Sequence, residues 1–265
     1  DITGFGRCSV TVQLPLISAM RVQACPLPTA ILSVHTGFPN HYLDDYTDRM
    51  RPYMENWAAN ALEFDAILTG FLGSERQIEV VLECIARFKQ RTTQLVVDPV
   101  MGDNGSLYSS YTPALCAKMR QLLPQADVVT PNLTEACQLL GADYPTGGLV
   151  TEDELARMAA AIAAMGPRTV IITGLHADEN VRTYLYADGC GRSFDNPKVG
   201  RDRSGAGDAF SAIIAAALVR GIPLAEAVPR AADFIGHCLT YAEELDLPWN
   251  HGLPFEEFMG ELTEL

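Results

Sequence analysis

The sequence predicts an α/β fold, a three-layer α/β/α sandwich on a mainly parallel central sheet. Two observations carry that expectation. Short apolar, β-branched runs recur along the chain, each too short for a buried helix and each ending near Gly, Pro or Asn. Longer helical patterns lie between them, and this alternation implies crossover units that cover both faces of a parallel sheet.

Taken in order, the first expected strands are TAILSV (29–34) and DAILTGFL (65–72). SERQIEVVLECIARFKQ (74–90) is an expected helix, with Gln77 three residues after Ser74 in the form of a capping box. TQLVVDPV (93–100) and ADVVTPN (126–132) continue the strand series. TEDELARMAAAIAAMG (151–166) repeats the helix signature with Thr151 and Glu154, and TVIITG (169–174) follows as a strand. VRTYLYADGCGRSFDNPKV (181–199) alternates around DGCG and reads as a hairpin, antiparallel at a sheet edge. Two helices, 207–220 and about 223–243, and a short terminal one complete the chain. No linker, repeat or composition shift marks a boundary, so residues 1–265 read as a single domain.

Composition narrows the partners. Hydrophobic residues make up 48 % and charged residues 20 %, an ordinary profile for a folded domain. No apolar run reaches the roughly 18 residues of a membrane span, and no basic-then-apolar leader is visible. A formal net charge of -14 argues against nucleic-acid binding, which needs clustered Lys and Arg. One segment is locally basic: PKVGRDR, with Lys198, Arg201 and Arg203. The 7 cysteines are odd in number and form no C-x-x-C pair, which argues against zinc and points to a reducing cytoplasm.

Ligands of open parallel sheets sit at the carboxyl ends of the strands. The polar residues there are Ser33, His35, Thr36, Thr69, Asp98, Asp103, Thr130, Asn132 and Thr173. No Walker A or G-x-G-x-x-G sequence occurs. In SGAGD (204–208), however, glycines let successive amides face one concavity, and the following helix adds its positive end. Asp208 would stand beside a transferring phosphoryl group, within reach of a substrate hydroxyl. The alternative is a glycine turn with a dipole-favoured acid. The almost wholly apolar AFSAIIAAALV that follows puts this acid at depth, where Ser or Thr would cap without charge.

DPVMGD places Asp98 at a strand end and Asp103 in the turn after it. Magnesium takes one or two carboxylates plus phosphate oxygens, while Asp-Pro turn chemistry explains Asp98 equally. TPNLTEA carries Asn132 and Glu135, a capping box in form and a phosphate and metal pair in function. SVHTG carries His35 and Thr36, whose interest is their place at a strand end.

With HTG, DPVMGD, TPNLTEA and GAGD in chain order, the sequence resembles the ribokinase superfamily, and most of all its pyridoxal kinase branch. The resemblance implies a ribokinase-like fold and transfer of the ATP γ-phosphate to the 5'-hydroxymethyl of a vitamin B6 vitamer. It implies Asp208 as general base and Gly205, Ala206 and Gly207 as the anion hole. Asp103 and Glu135 would serve magnesium, and Asp98 and Thr130 a monovalent cation such as K+. Asn132, Thr173, Lys198, Arg201 and Ser204 would contact the nucleotide, and Asp1, His35, Thr36 and Phe71 the substrate ring. A cytoplasmic homodimer is implied as well.

The chain departs from that pattern in having Ala206 where pyridoxal kinases carry Thr, and Phe71 in place of a common Tyr. The family's first strand is expected before Asp1. The nearest alternative is a hydroxymethylpyrimidine kinase, whose substrate is another aromatic ring bearing a hydroxymethyl. A nucleotide-binding regulatory protein is the non-enzyme alternative, against which the retention of Asp208 and both flanking glycines speaks.

Overall fold

The computed structural model describes residues 1–264. Its contacts group the chain into two compact units, Asp1–Asp65 with Lys198–Leu265, and Ala66–Pro197.

The Ala66–Pro197 unit holds a six-stranded sheet in the order Cys190–Pro197, Asn180–Ala187, Thr169–Ala177, Val128–Val129, Gln94–Val97 and Ala66–Thr69. The last four are mutually parallel, and the hairpin is antiparallel at the edge, as its alternation predicts. Asp188 and Gly189, at φ 51° and 78°, make the two-residue turn whose twist suits paired strands. Leu95, Val96, Val97, Val128, Val129, Val170, Ile171 and Ile172 are all buried, so the central strands are covered on both faces. The strand expected at 169–174 runs on to Ala177, because its antiparallel partner pairs there through Asn180.

Helix starts in this unit follow their caps. Thr151 and Glu154 close a capping box in both directions, and so do Asn132 and Glu135. Ser74 closes only half of one. Its side chain accepts from Gln77 N, but Gln77 Oε1 accepts from Gly73 N at 2.7 Å instead of turning back to Ser74.

The other unit has a three-stranded sheet, Ile2–Thr3, Ala30–Leu32 and Leu43–Asp45 in that order, parallel in its first pair and antiparallel in its second. Sequence patterning does not announce Ile2–Thr3 or Leu43–Asp45, which are too short for a period. It misses the Thr47–Ala59 helix too: Pro52 lies inside, and only Thr47, Met50 and Met54 are buried. The Ala206–Val219 helix is the interior element its composition predicts, with every residue from Ala209 to Ala217 buried. It packs against Val10–Ala19 and Leu224–Glu244. Among the described residues, no helix is long and apolar enough to cross a membrane.

Candidate active site

The loop ahead of the Ala206–Val219 helix is built around Gly205, at φ 89° and ψ -9°. A Cβ there would overlap the Arg7 carbonyl oxygen, so glycine is demanded by both conformation and space. No side chain caps this 14-residue helix, leaving its first amides, on Ala206, Gly207 and Asp208, at the positive end of the dipole. Nothing lies within 4 Å of where a Gly207 Cβ would be. The space beside these amides is where the expected anion hole of Gly205, Ala206 and Gly207 would lie.

Asp208 Oδ2 accepts a hydrogen bond from Ser9 N at 2.7 Å. Burial pushes the Asp208 carboxyl above the ordinary aspartate range, and the Ser9 N–H partly offsets this. Ser9 itself sits at φ 56°, with Arg7 at φ 45° and Gly6 at φ 120° just upstream. Two non-glycine residues in a sparsely populated region mark a loop held by its surroundings. The Cys8 thiol is pushed up to about 11 by burial and then by the Asp208 charge. Sequence reasoning missed Ser9; the small-residue run GFGRCS before a helix was its one signal.

His35 is buried and committed on both sides of its ring. Nδ1 accepts from Gly37 N at 3.1 Å and Nε2 donates to Asn250 O at 2.8 Å, which sets the tautomer. The ring lies so close to Gly6 and Gly37 that a Cβ at either would overlap it. Thr36 beside it is exposed, and Asp1 Oδ2 accepts from Thr3 Oγ1 at 2.8 Å. The basic stretch divides: Lys198 and Arg201 are exposed and Ser204 is half-buried. Arg203 turns inward to Glu243 Oε1 at 3.0 Å and Pro248 O at 3.1 Å.

In the Ala66–Pro197 unit, the remaining candidates stand on neighbouring strand ends. Asp98 N donates to Thr69 O at 3.3 Å, and Thr130 N donates to Val97 O at 3.0 Å. Asp98 and Thr130 are buried, and Thr130 Oγ1 has no hydrogen-bond partner; Thr69 Oγ1 is in the same position. A buried hydroxyl left unpaired costs roughly 1–3 kcal/mol. An oxygen-liganded cation beside the Asp98 carboxylate would satisfy Thr130, so these residues fit a monovalent ion.

Asn132 and Glu135 fill the capping role and a second one. Asn132 N donates to Glu135 Oε2 and Glu135 N to Asn132 Oδ1, both at 2.9 Å. Asn132 Nδ2 also donates to Gly102 O at 2.8 Å, and Met101 N donates to Glu135 Oε1 at 3.0 Å. The pair therefore pins the DPVMGD turn to the helix start. Burial pushes Glu135 up to about 8; the amides facing it pull the other way and the Asp103 charge adds to the rise. Asp103 is exposed and accepts from Asn104 N at 2.8 Å. Thr173, half-buried, bridges to Asn132 and donates its N–H to Pro131 O at 2.9 Å.

Among the described residues, no cluster of three His, Cys, Asp or Glu side chains could by itself hold a metal. Magnesium needs only one or two carboxylates when phosphates complete its shell. Asp103 and Glu135, near enough for the Asp103 charge to act on Glu135, fit that partial donor set.

Phe71, after the Ala66–Thr69 strand, packs its ring edge-on against Tyr111 with centroids 6.0 Å apart. Tyr111 OH donates to Leu72 O at 2.9 Å and accepts from Leu72 N at 3.4 Å, clamping the loop. An aromatic in a loop carries no pattern, and sequence reading passed over Tyr111.

Residues 14–252 match the family model described as phosphomethylpyrimidine kinase. A hydroxymethylpyrimidine/phosphomethylpyrimidine kinase of Rhizobium meliloti is 30 % identical over 254 residues, 93 % of this chain and 91 % of that protein. A chloroplastic thiamine biosynthetic bifunctional enzyme of Arabidopsis thaliana is 32 % identical over 203 residues, and the match spans 75 % of this chain but 37 % of that protein. Among solved structures, a Bacteroides thetaiotaomicron protein described as a phosphomethylpyrimidine kinase superposes with a TM-score of 0.96 at 36 % identity, covering 99 % of this chain and 91 % of that one. Its orthorhombic form with pyridoxal gives a TM-score of 0.92, covering 100 % of this chain and 93 % of that one.

These likenesses bear out the ribokinase-like α/β/α fold class with its mainly parallel sheet. They overturn the pyridoxal kinase branch and the vitamin B6 acceptor that the motifs implied. The matching family model is that of phosphomethylpyrimidine kinase, and the relative matched over 93 % of the chain is a hydroxymethylpyrimidine/phosphomethylpyrimidine kinase. The physical reason lies in what the motifs do. GAGD, DPVMGD and TPNLTEA concern phosphate and metal, which such kinases share whatever ring they phosphorylate. HTG, the one motif read as substrate-side, has its histidine consumed by Asn250 and Gly37.

Proposed function

Because the chain belongs to the phosphomethylpyrimidine kinase family, and so is an ATP-dependent phosphotransferase acting on a hydroxyl group, we propose that it phosphorylates a hydroxymethylpyrimidine. The observation that carries this reading is the family match over residues 14–252, joined to a 30 % identical hydroxymethylpyrimidine/phosphomethylpyrimidine kinase over 93 % of the chain.

The chemistry follows from the Asp208 environment. The acceptor O–H gives its proton to the Asp208 carboxylate, the acceptor oxygen forms a bond to the γ-phosphorus, and the phosphoanhydride bond breaks to release ADP. Burial raises the affinity of Asp208 for that proton, while the Ser9 N–H aims the carboxylate. The amides of Ala206, Gly207 and Asp208 stabilise charge on the transferring group without reorganising. Asp103 and Glu135 would hold magnesium, which neutralises phosphate charge when bound. Asp98 and Thr130 would hold a monovalent cation such as K+. Asn132, Thr173, Lys198, Arg201 and Ser204 are proposed for the nucleotide, and Asp1, Thr36 and Phe71 for the acceptor.

The test is ATP turnover with hydroxymethylpyrimidine, its monophosphate, pyridoxal and ribose in parallel. Hydroxymethylpyrimidine should give the highest kcat/KM. Pyridoxal, found with the Bacteroides relative, is the informative competitor, and turnover of it alone would overturn the reading. ATP binding without turnover of any acceptor would mark a regulatory protein instead.

A further inference from the structure

After the Leu224–Glu244 helix, one short turn offers its backbone carbonyls to three separate stretches of chain. Pro248 O accepts from Arg203 Nη1 at 3.1 Å, Asn250 O from His35 Nε2 at 2.8 Å, and His251 O from Arg7 Nη1 at 3.2 Å. All of these residues lie within one compact unit. Each donor stands next to a group the proposed reaction uses. Arg203 precedes Gly205 by two residues, Arg7 precedes Ser9 by two, and His35 adjoins Thr36.

We propose that Pro248–His251 is a positioning strap, which sets the glycine turn, the Asp208-holding amide of Ser9 and the His35–Thr36 segment in one register. The proposal rests on the reading of Asp208 as the base.

Three features separate this from ordinary packing. The acceptors are main-chain carbonyls of a single 3-10 turn, Trp249–His251, and its preceding residue, so none can move without the others. The donors are shaped to be held at two points. Arg203 also reaches Glu243 Oε1 at 3.0 Å, and Arg7 reaches Glu256 Oε1 at 2.7 Å. A guanidinium fork fixes such paired bonds in one plane, a geometry that a lysine ammonium on its flexible stem does not set. Arg203 takes this inward position with its Nε buried without a partner, a cost that solvent exposure of the side chain would remove. Beyond the turn, Gly252 at φ 74° lies so close to the Gly6 carbonyl oxygen that a Cβ would overlap it. The strap therefore lies directly on the loop that carries Ser9.

Two variants and two kinds of readout test this. Arg203→Lys keeps the charge for Glu243 but loses the fork. It should raise the acceptor KM about fivefold or more, although Arg203 is not on the acceptor side. His35→Gln should change acceptor-independent ATP hydrolysis by a similar factor, although His35 is not on the phosphate side. With acceptor KM measured for both single variants, the double variant should fall short of the product of their two effects on that KM by more than about twofold. Effects that multiply freely, or a lower Tm with both parameters unchanged, would leave a purely structural turn and overturn the strap. If Arg203→Lys does not fold, the His35→Gln hydrolysis rate decides alone.

An independent readout needs no turnover. The Trp249 ring is 6.3 Å from the His35 ring, so in a Trp57→Phe background its emission reports the strap. Arg203→Lys should shift that emission, and an unchanged spectrum overturns the proposal. Wild-type protein inactive on every acceptor would sink the functional reading while leaving this measurement decisive for the strap.

Discussion

Ser9 and Asp208, 199 residues apart in sequence, meet in a 2.7 Å hydrogen bond from the Ser9 amide to the Asp208 carboxylate. The bond comes from main chain, so no side chain at position 9 is needed to make it. What it does need is the left-handed conformation of Ser9, and the surrounding loop supplies that. The carboxylate is thereby aimed before any substrate arrives.

Asp208→Asn should keep the fold, since an amide oxygen can still accept from Ser9. Turnover should fall by about 10²–10⁴, the usual contribution of a positioned base. Calorimetric ATP binding should persist. Near-normal turnover would reduce Asp208 to a favourable charge at a helix start.

Protein stability without metal should decline as pH rises from about 5 to 8. Glu135, pushed up to about 8 by burial, binds a proton in the folded state that the unfolded chain releases near its ordinary value. Across that window the native state holds more protons, so raising pH favours unfolding. Asp208, also raised by burial, acts in the same direction. A series of melting temperatures against pH checks this, and Glu135→Gln should flatten the slope. A slope of the opposite sign would contradict the assignment.

Asn132→Ala removes both the helix cap and the donor to Gly102 O. The cap alone is worth about 1 kcal/mol, and the orphaned carbonyl adds to it. Asn132→Asp keeps the cap and loses only the donor, so urea titration should place it between the two. Equal stability of the three proteins would mean that the pinning of the DPVMGD turn is energetically empty.

Tyr111→Phe keeps the ring against Phe71 and deletes the hydroxyl that clamps Leu72. A loss of about 1 kcal/mol is expected by denaturant unfolding. The acceptor KM should rise more than the ATP KM, because the loosened loop carries Phe71. An equal change in both would separate this loop from acceptor binding.

The legibility of the sequence follows the length scale of each signal. The strands of the Ala66–Pro197 unit were legible because Leu95–Val97 and Val170–Ile172 are continuous buried runs bounded by turn residues. The caps at Asn132 and Thr151 were legible because both partners lie within three residues. Asp208 could be singled out because an acid opening a helix that is almost wholly apolar and buried from Ala209 to Ala217 is anomalous. Ser9, Tyr111 and Asn250 could not be found this way. Each acts through a bond to a residue tens or hundreds of positions away, on main-chain atoms that every residue has. The acceptor ring was misjudged for a related reason, since the motifs describe the phosphate end of the reaction. His35 and Arg203 show the same limit inside the motifs. His35 is expected at the substrate ring and Arg203 belongs to the basic stretch, and three-dimensional neighbours absorb both.

The His35 imidazole lies in a slot whose two walls, Gly6 and Gly37, have no side chains. Its dimensions make these three positions a unit of inheritance. Any lineage that gains a side chain at either wall must shed the imidazole, and any that replaces the imidazole by a smaller group frees both walls to drift. Divergence among relatives should therefore show these three columns changing together, even though 28 residues lie between Gly6 and His35.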